Sequence, residues 1–315
     1  MRWIQINSFL GWYMRRMSAF AVFFMMLALA LPSSNALPAE PTNAGPVFGG
    51  QHVEIDNVTR NTSLLSDLPA IAEDFTATWC DNCIKAEAEL NKLEAEGLVQ
   101  KYEFHRSPDH EDPLGDDFAS SYLTERYGVS LPPLVAFNGI IMKHGTLPDS
   151  DSLENDYRTM LTAPINLEDV SSFFSWTPKA LCDCDIANNS GIISWDLDIN
   201  MSSYPNAVLN VNAWFVEQSA EYPDGGNGAG TYHDIVRNIT ELGNEKSGTA
   251  TIQIPAANDG NDLEVHLVYV MTFVEPSPEP TKTEDSVPGF GVVITLTAVL
   301  GAIAITGRKR TSYSE

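Results

Sequence analysis

The sequence predicts an α/β domain followed by an all-β sandwich, with a signal peptide before them and a single transmembrane segment after them. Three observations support this prediction. A short strand leads into a C-x-x-C motif and a helix-forming stretch at residues 74–96. After Pro164, apolar and polar residues alternate with period 2, as in half-buried strands. Apolar runs suited to export or membrane insertion lie near both ends of the chain.

The composition indicates an acidic globular protein. The 315 residues are enough for about two domains, each with its own core, and 43% of them are hydrophobic. The net charge is −24, which argues against nucleic acid or an anionic membrane surface as a partner. A heavily hydrated acidic surface is the interpretation that this charge favours.

Residues 1–36 are predicted to be a secretory signal peptide, with Met14 as an alternative start. Two arginines precede an apolar run at 19–31, and small residues at 34–36 offer a cleavage site. Export places the cysteines where disulfides persist. Residues 37–52 are rich in Pro, Gly and Ala and are predicted to be a flexible lead-in. Five sequons offer sites for N-glycosylation, at Asn57, Asn61, Asn188, Asn200 and Asn238.

The segment 74–83 (DFTATWCDNC) is the most informative part of the chain. Two thiols at the start of a helix have a chemical use, because free N–H groups and the helix dipole stabilise a thiolate there. The second thiol can then close on the first as a disulfide. The C-x-x-C pattern alone leaves three interpretations open, namely a redox pair, a zinc site and a structural disulfide.

This stretch resembles the active-site strand, turn and helix of the thioredoxin superfamily. The resemblance implies that Cys80 is the attacking cysteine and Cys83 the resolving one. It also implies that Asp74 is the buried acid that assists proton transfer, and Trp79 would shape the surface beside the sulfur. A thioredoxin-like domain is expected over residues 53–165.

Residues 127–139 (YGVSLPPLVAFNG) resemble the part of such proteins that holds a cis-proline beside the disulfide. The match places that proline at Pro133, where it would help to bind substrate. Leu134 replaces the usual threonine, and Pro132 removes a backbone N–H, which reduces pairing with a substrate strand.

The remaining elements of this domain follow from local patterns. Residues 101–105 form a short aromatic strand, and helices are expected at 118–126 and 149–161. His105 and His110 flank a loop in which Asp109 or Asp112 offers a metal ligand, although surface histidines are the commoner interpretation.

Residues 186–275 are predicted to form the antiparallel β-sandwich, because several runs alternate strictly. The loop at 221–230 is interpreted as a flexible hairpin loop, with calcium binding as an alternative. The connection at 166–185 contains Cys182 and Cys184. These cysteines suit a local or interdomain disulfide, a second redox pair or a metal site.

The C-terminus combines a Pro, Thr and Glu linker at 276–287 with a segment at 288–310 and a short tail at 311–315. The segment opens with Pro288, Gly289 and Phe290, continues as an apolar run and ends in a basic cluster. This order resembles the archaeal PGF-CTERM sorting signal. The resemblance implies that an archaeosortase replaces the tail with a lipid anchor; the alternative is an uncut transmembrane anchor.

The order of parts as a whole resembles a family of secreted thioredoxin-like proteins of the outer-membrane type that have a C-terminal β-sandwich. The resemblance implies an extracellular, membrane-tethered thiol–disulfide oxidoreductase that needs no cofactor. Its partners would be protein thiols or disulfides and an unidentified redox protein. The alternative function is a non-catalytic binding module at the cell surface.

Overall fold

The computed structural model describes residues 38–107, 112–163, 165, 167, 169–179, 189–260 and 262–273. They belong to one unit of the chain, Met1–Val274. The predicted signal peptide, Cys182, Cys184, Asn188 and the C-terminal segment at 276–315 lie outside the described residues.

Strands dominate the described residues. They are β1 (Glu40–Pro41), β2 (Val47–Glu54), β3 (Thr59–Leu64), β4 (Ala70–Thr76), β5 (Val99–His105), β6 (Leu134–Phe137), β7 (Ile141–His144), β8 (Ser171–Pro178), β9 (Ser190–Leu197), β10 (Ala207–Tyr222), β11 (Gly230–Gly243), β12 (Ser247–Gln253) and β13 (Leu263–Phe273). The helices are α1 (Cys83–Ala95), α2 (Asp117–Tyr127) and α3 (Leu153–Met160), with 3-10 turns at Leu65–Asp67 and Met201–Ser203.

Two helices begin at side-chain caps. The Asp116 carboxylate accepts the N–H of Ala119 at the start of α2, and the Ser152 hydroxyl accepts the N–H of Asn155 at the start of α3. The helix α2 ends at Gly128, whose φ of 67° is easily reached by glycine. The helices predicted at 84–96, 118–126 and 149–161 are therefore present.

The strands form two sheets. The larger has nine strands in the order β1-β7-β6-β4-β5-β11-β10-β13-β2, and the smaller has four in the order β12-β9-β8-β3. The strands β4 and β5 run parallel, and β4 and β6 run antiparallel. The junction that matters most for the site is between β5 and β11, where Glu103 lies opposite Ile235 in a parallel pair.

The smaller sheet packs face to face on β10, β13 and β2 through an apolar core that includes Trp176, Ile193, Phe215, Val265 and Leu267. At the other end of the large sheet, α1 and α3 cover one face of β4 and β6. The helix α2 packs against the large sheet in a separate core that also contains residues of β10 and β13. The helices α1 and α3 thus cover the sheet beside β4, which the C-x-x-C motif follows.

The predicted fold class, a separate α/β thioredoxin-like domain followed by an all-β sandwich, is wrong. The described chain is mainly β, and its three short helices sit on a sheet that runs on without interruption from β5 into β11. Residues 47–52, predicted as the end of a flexible lead-in, belong to the edge strand β2, which is paired with β13. Sequence alternation identifies strands but not their neighbours, which is why the shared sheet was not predicted.

No helix among the described residues is long and apolar enough to cross a membrane. The predicted transmembrane segment at 288–310 lies outside those residues. The boundaries at 53–165 and 186–275 stay a prediction, since strands from both ranges share the large sheet.

Candidate functional site

The site is built around a disulfide between Cys80 and Cys83, whose Cα atoms are 5.4 Å apart. The strand β4 ends at Thr76, and α1 begins at Cys83, so the disulfide lies at the carboxyl edge of β4. Cys80 is 7% exposed and Cys83 is fully buried. Trp79 is 36% exposed beside them. A reagent from solvent can therefore reach only Cys80 without opening the structure.

The loop before Cys80 is held through both backbone polar groups of Thr78. The N–H of Thr78 donates to Asp112 Oδ2 at 2.7 Å, and the C=O of Thr78 accepts the N–H of Asn227 at 2.9 Å. The Asn227 amide also donates to the C=O of Ala77 at 3.3 Å, and the Tyr232 hydroxyl donates to Asn227 Oδ1 at 2.6 Å. The loop at 221–230, interpreted from sequence as a flexible hairpin loop, is docked on the segment before Cys80.

Glycines make this docking close. A Cβ added at Gly225 would lie 2.2 Å from the Tyr232 hydroxyl, and one at Gly226 would lie 3.4 Å from Trp79 Cα. A side chain at position 225 would therefore push the loop away from the Thr78 peptide. The close approach of the loop to the Tyr232 hydroxyl, and not calcium binding, explains why position 225 is a glycine.

The Pro132–Pro133 peptide bond is cis, which confirms the cis-proline predicted at Pro133. Leu134 lies opposite Phe75 in the antiparallel pair of β6 and β4, so Pro133 stands at the same sheet edge as the disulfide. The C=O of Pro133 accepts the N–H of Gly145 at 2.9 Å. The substrate-binding role of Pro133 stays a prediction.

A cluster of three carboxylates lies behind the disulfide. One oxygen from each of Asp74, Glu87 and Glu103 falls within 4.8 Å of the others. Glu87 follows Cys83 by one helical turn and so shares its face of α1. Its Oε1 accepts the hydroxyl of Thr76 at 2.6 Å. Asp74 is fully buried, and neither of its oxygens has a hydrogen-bond partner among the described residues.

Two cationic side chains of β5 neutralise part of this cluster. Lys101 Nζ donates to Glu103 Oε1 at 2.7 Å and to Asn91 Oδ1 at 2.8 Å, and it lies 3.4 Å from Asp234 Oδ2. The Lys101 side chain is almost fully buried, so this ion pair is poorly screened by water.

His105 is the second cation. Its Nε2 lies 3.4 Å from Glu103 Oε2, and its Nδ1 lies 3.0 Å from Asp112 Oδ2. The Tyr232 ring packs edge-on against the imidazole, with 5.3 Å between centroids. Both ring nitrogens are thus engaged with carboxylates, which disfavours the metal-ligand interpretation of His105. His110 and Asp109 lie outside the described residues.

The carboxyl groups of the cluster differ in their proton affinity. Burial, followed by the charges of Glu87 and Glu103, raises the pKa of Asp74 well above its usual value. Burial raises the pKa of Glu87 to about 7. Burial also opposes ionisation of Glu103, but the Lys101 ammonium and His105 lower the pKa of Glu103 to about 2. The cluster therefore holds protonated and ionised carboxyls side by side near neutral pH.

The neighbouring carboxylates favour the protonated form of His105. Burial alone would disfavour a charged His105, but the hydrogen bonds from Asp112 and Glu103 raise its pKa to about 9. His105 is thus a cation at neutral pH, and through Asp112 it is connected to the Thr78 peptide.

The structure brings the predicted residues Asp74, Trp79, Cys80, Cys83 and Pro133 to one edge of the sheet. Of the predicted glycosylation sites, Asn57, Asn61 and Asn200 are exposed and Asn238 is half-buried. Sequence reasoning missed most of the polar residues of the carboxylate cluster and of the loop contacts before Cys80, namely Glu87, Lys101, Glu103, Asn227, Tyr232 and Asp234; Asp112 was named only as a possible metal ligand. The alternation of Lys101, Glu103 and His105 on one face of a strand was the available indication, since charged residues seldom recur on a buried face.

The C-terminus matches the PGF-CTERM motif over residues 287–309. This motif marks secreted proteins that are anchored to the cell surface of archaea. The protein is therefore exported and anchored at the outer face of the cell membrane, which confirms the predicted sorting signal and localisation.

No curated protein matches the chain. One similar solved structure is HBP35 of Porphyromonas gingivalis, with 15% identity, a TM-score of 0.42 and coverage of 71% of this chain and 81% of that chain. Another is a protein of Agrobacterium tumefaciens, with 15% identity, a TM-score of 0.36 and coverage of 67% of this chain and 96% of that chain. Neither similarity supports an argument about function, and the thioredoxin-like part of the resemblance is not confirmed.

Proposed function

We propose that this anchored cell-surface protein is a thiol–disulfide oxidoreductase that acts through Cys80 and Cys83. The observation that supports this function best is the juxtaposition of a slightly exposed disulfide with the buried Asp74, whose carboxyl oxygens have no hydrogen-bond partner among the described residues. An unpaired buried carboxyl is costly, and proton exchange with a thiol is a use that offsets this cost.

The proposed step begins with the reduced protein. The Cys80 thiolate attacks a substrate disulfide, and one substrate sulfur leaves as a thiolate. The Cys83 thiol gives its proton to the carboxylate cluster at Asp74, and the resulting thiolate attacks Cys80 Sγ. The Cys80–Cys83 disulfide forms, and the second substrate sulfur leaves as a thiolate. The protein has then lost two electrons to the substrate, and the reverse sequence oxidises a substrate dithiol.

The local charges favour a reducing or weakly oxidising protein. The exposed Asp81 lies between the two cysteines and disfavours a thiolate at Cys80, whereas the amino end of α1 favours it. A destabilised thiolate makes the reduced form less stable, which gives a more negative reduction potential. A potential as positive as that of strong periplasmic oxidants would contradict this proposal.

The proposed partners are protein thiols or disulfides, an unidentified protein that recycles the cysteines, and an archaeosortase that processes the C-terminus. The substrate would approach over Trp79 and the loop at Pro133. Cys182 and Cys184 would form a second disulfide, and the sequons would hold glycans.

A non-catalytic binding module is the second candidate. One observation favours it: the loop of the cis bond has few free backbone groups with which to pair a substrate. The C=O groups of Leu131 and Pro133 already accept from His144 Nε2 and from the N–H of Gly145, and Pro132 has no N–H to donate.

A redox titration of the full chain separates the two candidates. The protein is equilibrated with thiol buffers of known potential, and free thiols are counted by alkylation and mass spectrometry. Cys182→Ala/Cys184→Ala removes the other cysteines, and Cys80→Ser is the inactive control. Reversible titration of Cys80 and Cys83 above about −300 mV supports the oxidoreductase, because labile pairs lie there. A pair that stays oxidised well below that potential is a structural bond and favours the binding module.

A further inference from the structure

The proposed reaction needs a route for protons between water and the acids behind the disulfide. Asp74, Glu103 and His105 are fully or almost fully buried, and Cys83 has no exposure. A buried acid that serves a thiol in repeated cycles must recover or release its proton after each one. The route for that proton has to be found among the polar groups that touch the cluster.

One buried polar contact extends away from the disulfide. Lys101 Nζ connects Glu103 Oε1, at 2.7 Å, with Asp234 Oδ2, at 3.4 Å. The Asp234 side chain is 30% exposed, so this short chain of ionisable groups leads from the cluster to water.

Asp234 borders a polar cavity of about 450 Å³. Its lining includes Lys101 and Glu94 from the side of β5 and α1, and His52 and His266 from β2 and β13. A cavity of this size and polarity has room and partners for several waters. Water there can exchange protons with Asp234 through hydrogen bonds.

The backbone at Asp234 is unusual. Its φ of 55° lies in the left-handed region, which costs free energy for any residue other than glycine. The next residue, Ile235, pairs with Glu103 on β5, so this conformation occurs where β11 meets the buried cluster. The backbone of β11 is therefore locally strained at Asp234, the residue that contacts Lys101.

We propose that Asp234, with the cavity that it lines, passes protons between water and the carboxylates behind the Cys80–Cys83 disulfide. Asp234 would act through Lys101 and Glu103 as a positioning and proton-transfer residue, without contacting the substrate. This inference rests on the proposed function for its chemical purpose, but the proton route itself can be tested separately.

The charged and titratable groups around this route come from every element packed against it. They are Asp74 (β4), Glu87 and Glu94 (α1), Lys101, Glu103 and His105 (β5), Asp112 (the loop after β5), Tyr157 (α3), Tyr232 and Asp234 (β11), and His52, Glu264 and His266 at the cavity (β2 and β13). Burial raises the pKa of Asp234 to about 7, so this carboxyl exists in both protonation states near neutral pH.

Other proton routes between the carboxylate cluster and water are less accessible to solvent. Asp112 is buried, and its oxygens accept the N–H groups of Thr78 and Leu114, which keeps it ionised and fixed. Among the described residues, Glu87 is 9% exposed and offers the competing proton route, one that does not include Asp234. The test therefore has to separate Asp234 from Glu87.

The proton balance is the same in both directions of the reaction. When a dithiol reduces the disulfide, one of its thiolates bonds to Cys80 Sγ, the Cys80–Cys83 bond breaks, and the Cys83 thiolate takes a proton from Asp74. The second thiolate of the dithiol then attacks the first sulfur, the mixed disulfide breaks, and Cys80 leaves as a thiolate. The Asp74 carboxylate regains a proton from water by way of Asp234, Lys101 and Glu103, one oxygen of which lies within 4.8 Å of one of Asp74, and the dithiol has released its two protons to water. Oxidation of a dithiol sends the proton outward along the same groups.

The first test is hydrogen–deuterium exchange of the buried carboxyls in the oxidised full chain, followed by infrared spectroscopy of the C=O band of protonated carboxyls. After transfer to D₂O, we expect the rate of the deuterium-induced shift of this band to be at least about tenfold lower in Asp234→Asn than in the wild type. Asp234→Glu, which keeps the carboxyl, should restore most of the rate. Asp224→Asn removes an exposed carboxylate of the hairpin loop at 221–230, which lies just before β11, and should leave the rate unchanged.

The second test is the rate of reduction of Cys80–Cys83 by dithiothreitol across neutral pH. We expect Asp234→Asn to slow it and added imidazole to restore it, because the cavity admits a small proton carrier. Exchange that is as fast in Asp234→Asn as in the wild type, but slow in Glu87→Gln, would overturn the inference in favour of the Glu87 route. A disulfide that dithiothreitol cannot reduce in the wild type would instead refute the proposed function, and the exchange experiment would still decide the proton route.

Discussion

Two regions of the interior contrast in chemistry. The core between the two sheets is apolar, with Trp176, Ile193 and Phe215 packed together. The interior behind the disulfide contains Asp74, Glu87, Glu103, Lys101 and His105 within a few ångströms of each other. Apolar burial stabilises a fold at roughly 25 cal/mol per Å², whereas a buried ion pair barely recovers its desolvation cost.

The contrast indicates what each region is for. The core between the sheets makes the main contribution to stability, and nothing in it requires a proton. The network behind the disulfide contributes little net stability for the charge that it buries, and Asp74 is left without a hydrogen bond among the described residues. A fold chosen for stability alone would fill that space with aliphatic side chains, so the network is best explained by chemistry at Cys80 and Cys83.

The largest expected effect comes from removing the buried cation. Lys101→Met keeps the volume of the side chain but leaves Glu103 with His105 as its remaining cationic partner and removes the ammonium beside Asp234. We expect a loss of about 3–5 kcal/mol in the free energy of unfolding at pH 8. The loss should shrink at pH 5, because Glu103 without Lys101 has a higher pKa and is then protonated in the folded protein. Urea unfolding at both pH values measures this.

A loss of the same size at both pH values would show that protonation of Glu103 does not compensate for the missing ammonium. The matched control is Lys92→Met, which removes an exposed ammonium that pairs with Glu89 on the surface of α1. Exposed pairs contribute about 0–1 kcal/mol, so this variant should unfold nearly as the wild type does.

Truncation of the apolar core should lower the free energy of unfolding by a similar amount, but the loss should not depend on pH. Phe215 is fully buried between the sheets, and Phe215→Ala should cost about 3–5 kcal/mol. The loss should be the same at pH 5 and pH 8, and the folded variant should reduce at the wild-type rate. A strong dependence of the loss on pH would mean that the two regions are coupled, and the contrast between them would fail.

Much of the site, and less of the fold, was predictable from sequence. The resemblance at the segment 74–83 and at Pro133 implied the disulfide and the cis bond, and both are present, because each depends on a few adjacent residues. The network was missed because its members come from distant elements. Glu87 has the pattern of an ordinary helix surface residue, and Asp234 lies far along the chain from Lys101.

The fold class failed for a related reason. Strict alternation located strands such as β9 and β13. It does not show which strand pairs with which, because pairing depends on the tertiary arrangement. The pairing of β5 with β11, and of β2 with β13, joins ranges that composition had separated. Nothing in the sequence of the loop at 221–230 indicates that Asn227 reaches Thr78, since that contact depends on the shared sheet.

A smaller effect should appear in the dependence of stability on pH. The pKa of His105 rises from its usual 6.5 to about 9 in the folded protein, so His105 stabilises the fold fully below pH 6.5 and loses this contribution as the pH rises to 9. Glu87 and Asp234, with pKa values of about 7, weaken the fold only as the pH rises to that value. We therefore expect the free energy of unfolding to keep falling between pH 7 and pH 9.

This decrease can be assigned by substitution. In His105→Gln the free energy of unfolding should be lower overall and should fall less between pH 7 and pH 9, because among the described residues only the buried Asp74 carboxyl, whose pKa is also raised, still opposes folding as the pH rises; urea unfolding at several pH values measures this. A decrease that is as large in the variant as in the wild type would assign the titration to another group. The apolar core offers no comparable dependence, because it contains no group that titrates in this range.

The smallest expected effect compares two hydroxyls, one in each region. Tyr232 donates to Asn227 Oδ1 in the loop docked at Thr78, and the Tyr269 hydroxyl bonds to that of Ser172 between the sheets. Each tyrosine-to-phenylalanine change should cost about 1 kcal/mol in global stability. Only Tyr232→Phe should speed hydrogen exchange at the N–H of Asn227, because local opening of that loop is then easier. Equal exchange in both variants would mean that the backbone and side-chain hydrogen bonds of Asn227 hold the loop at the site without any help from the Tyr232 hydroxyl.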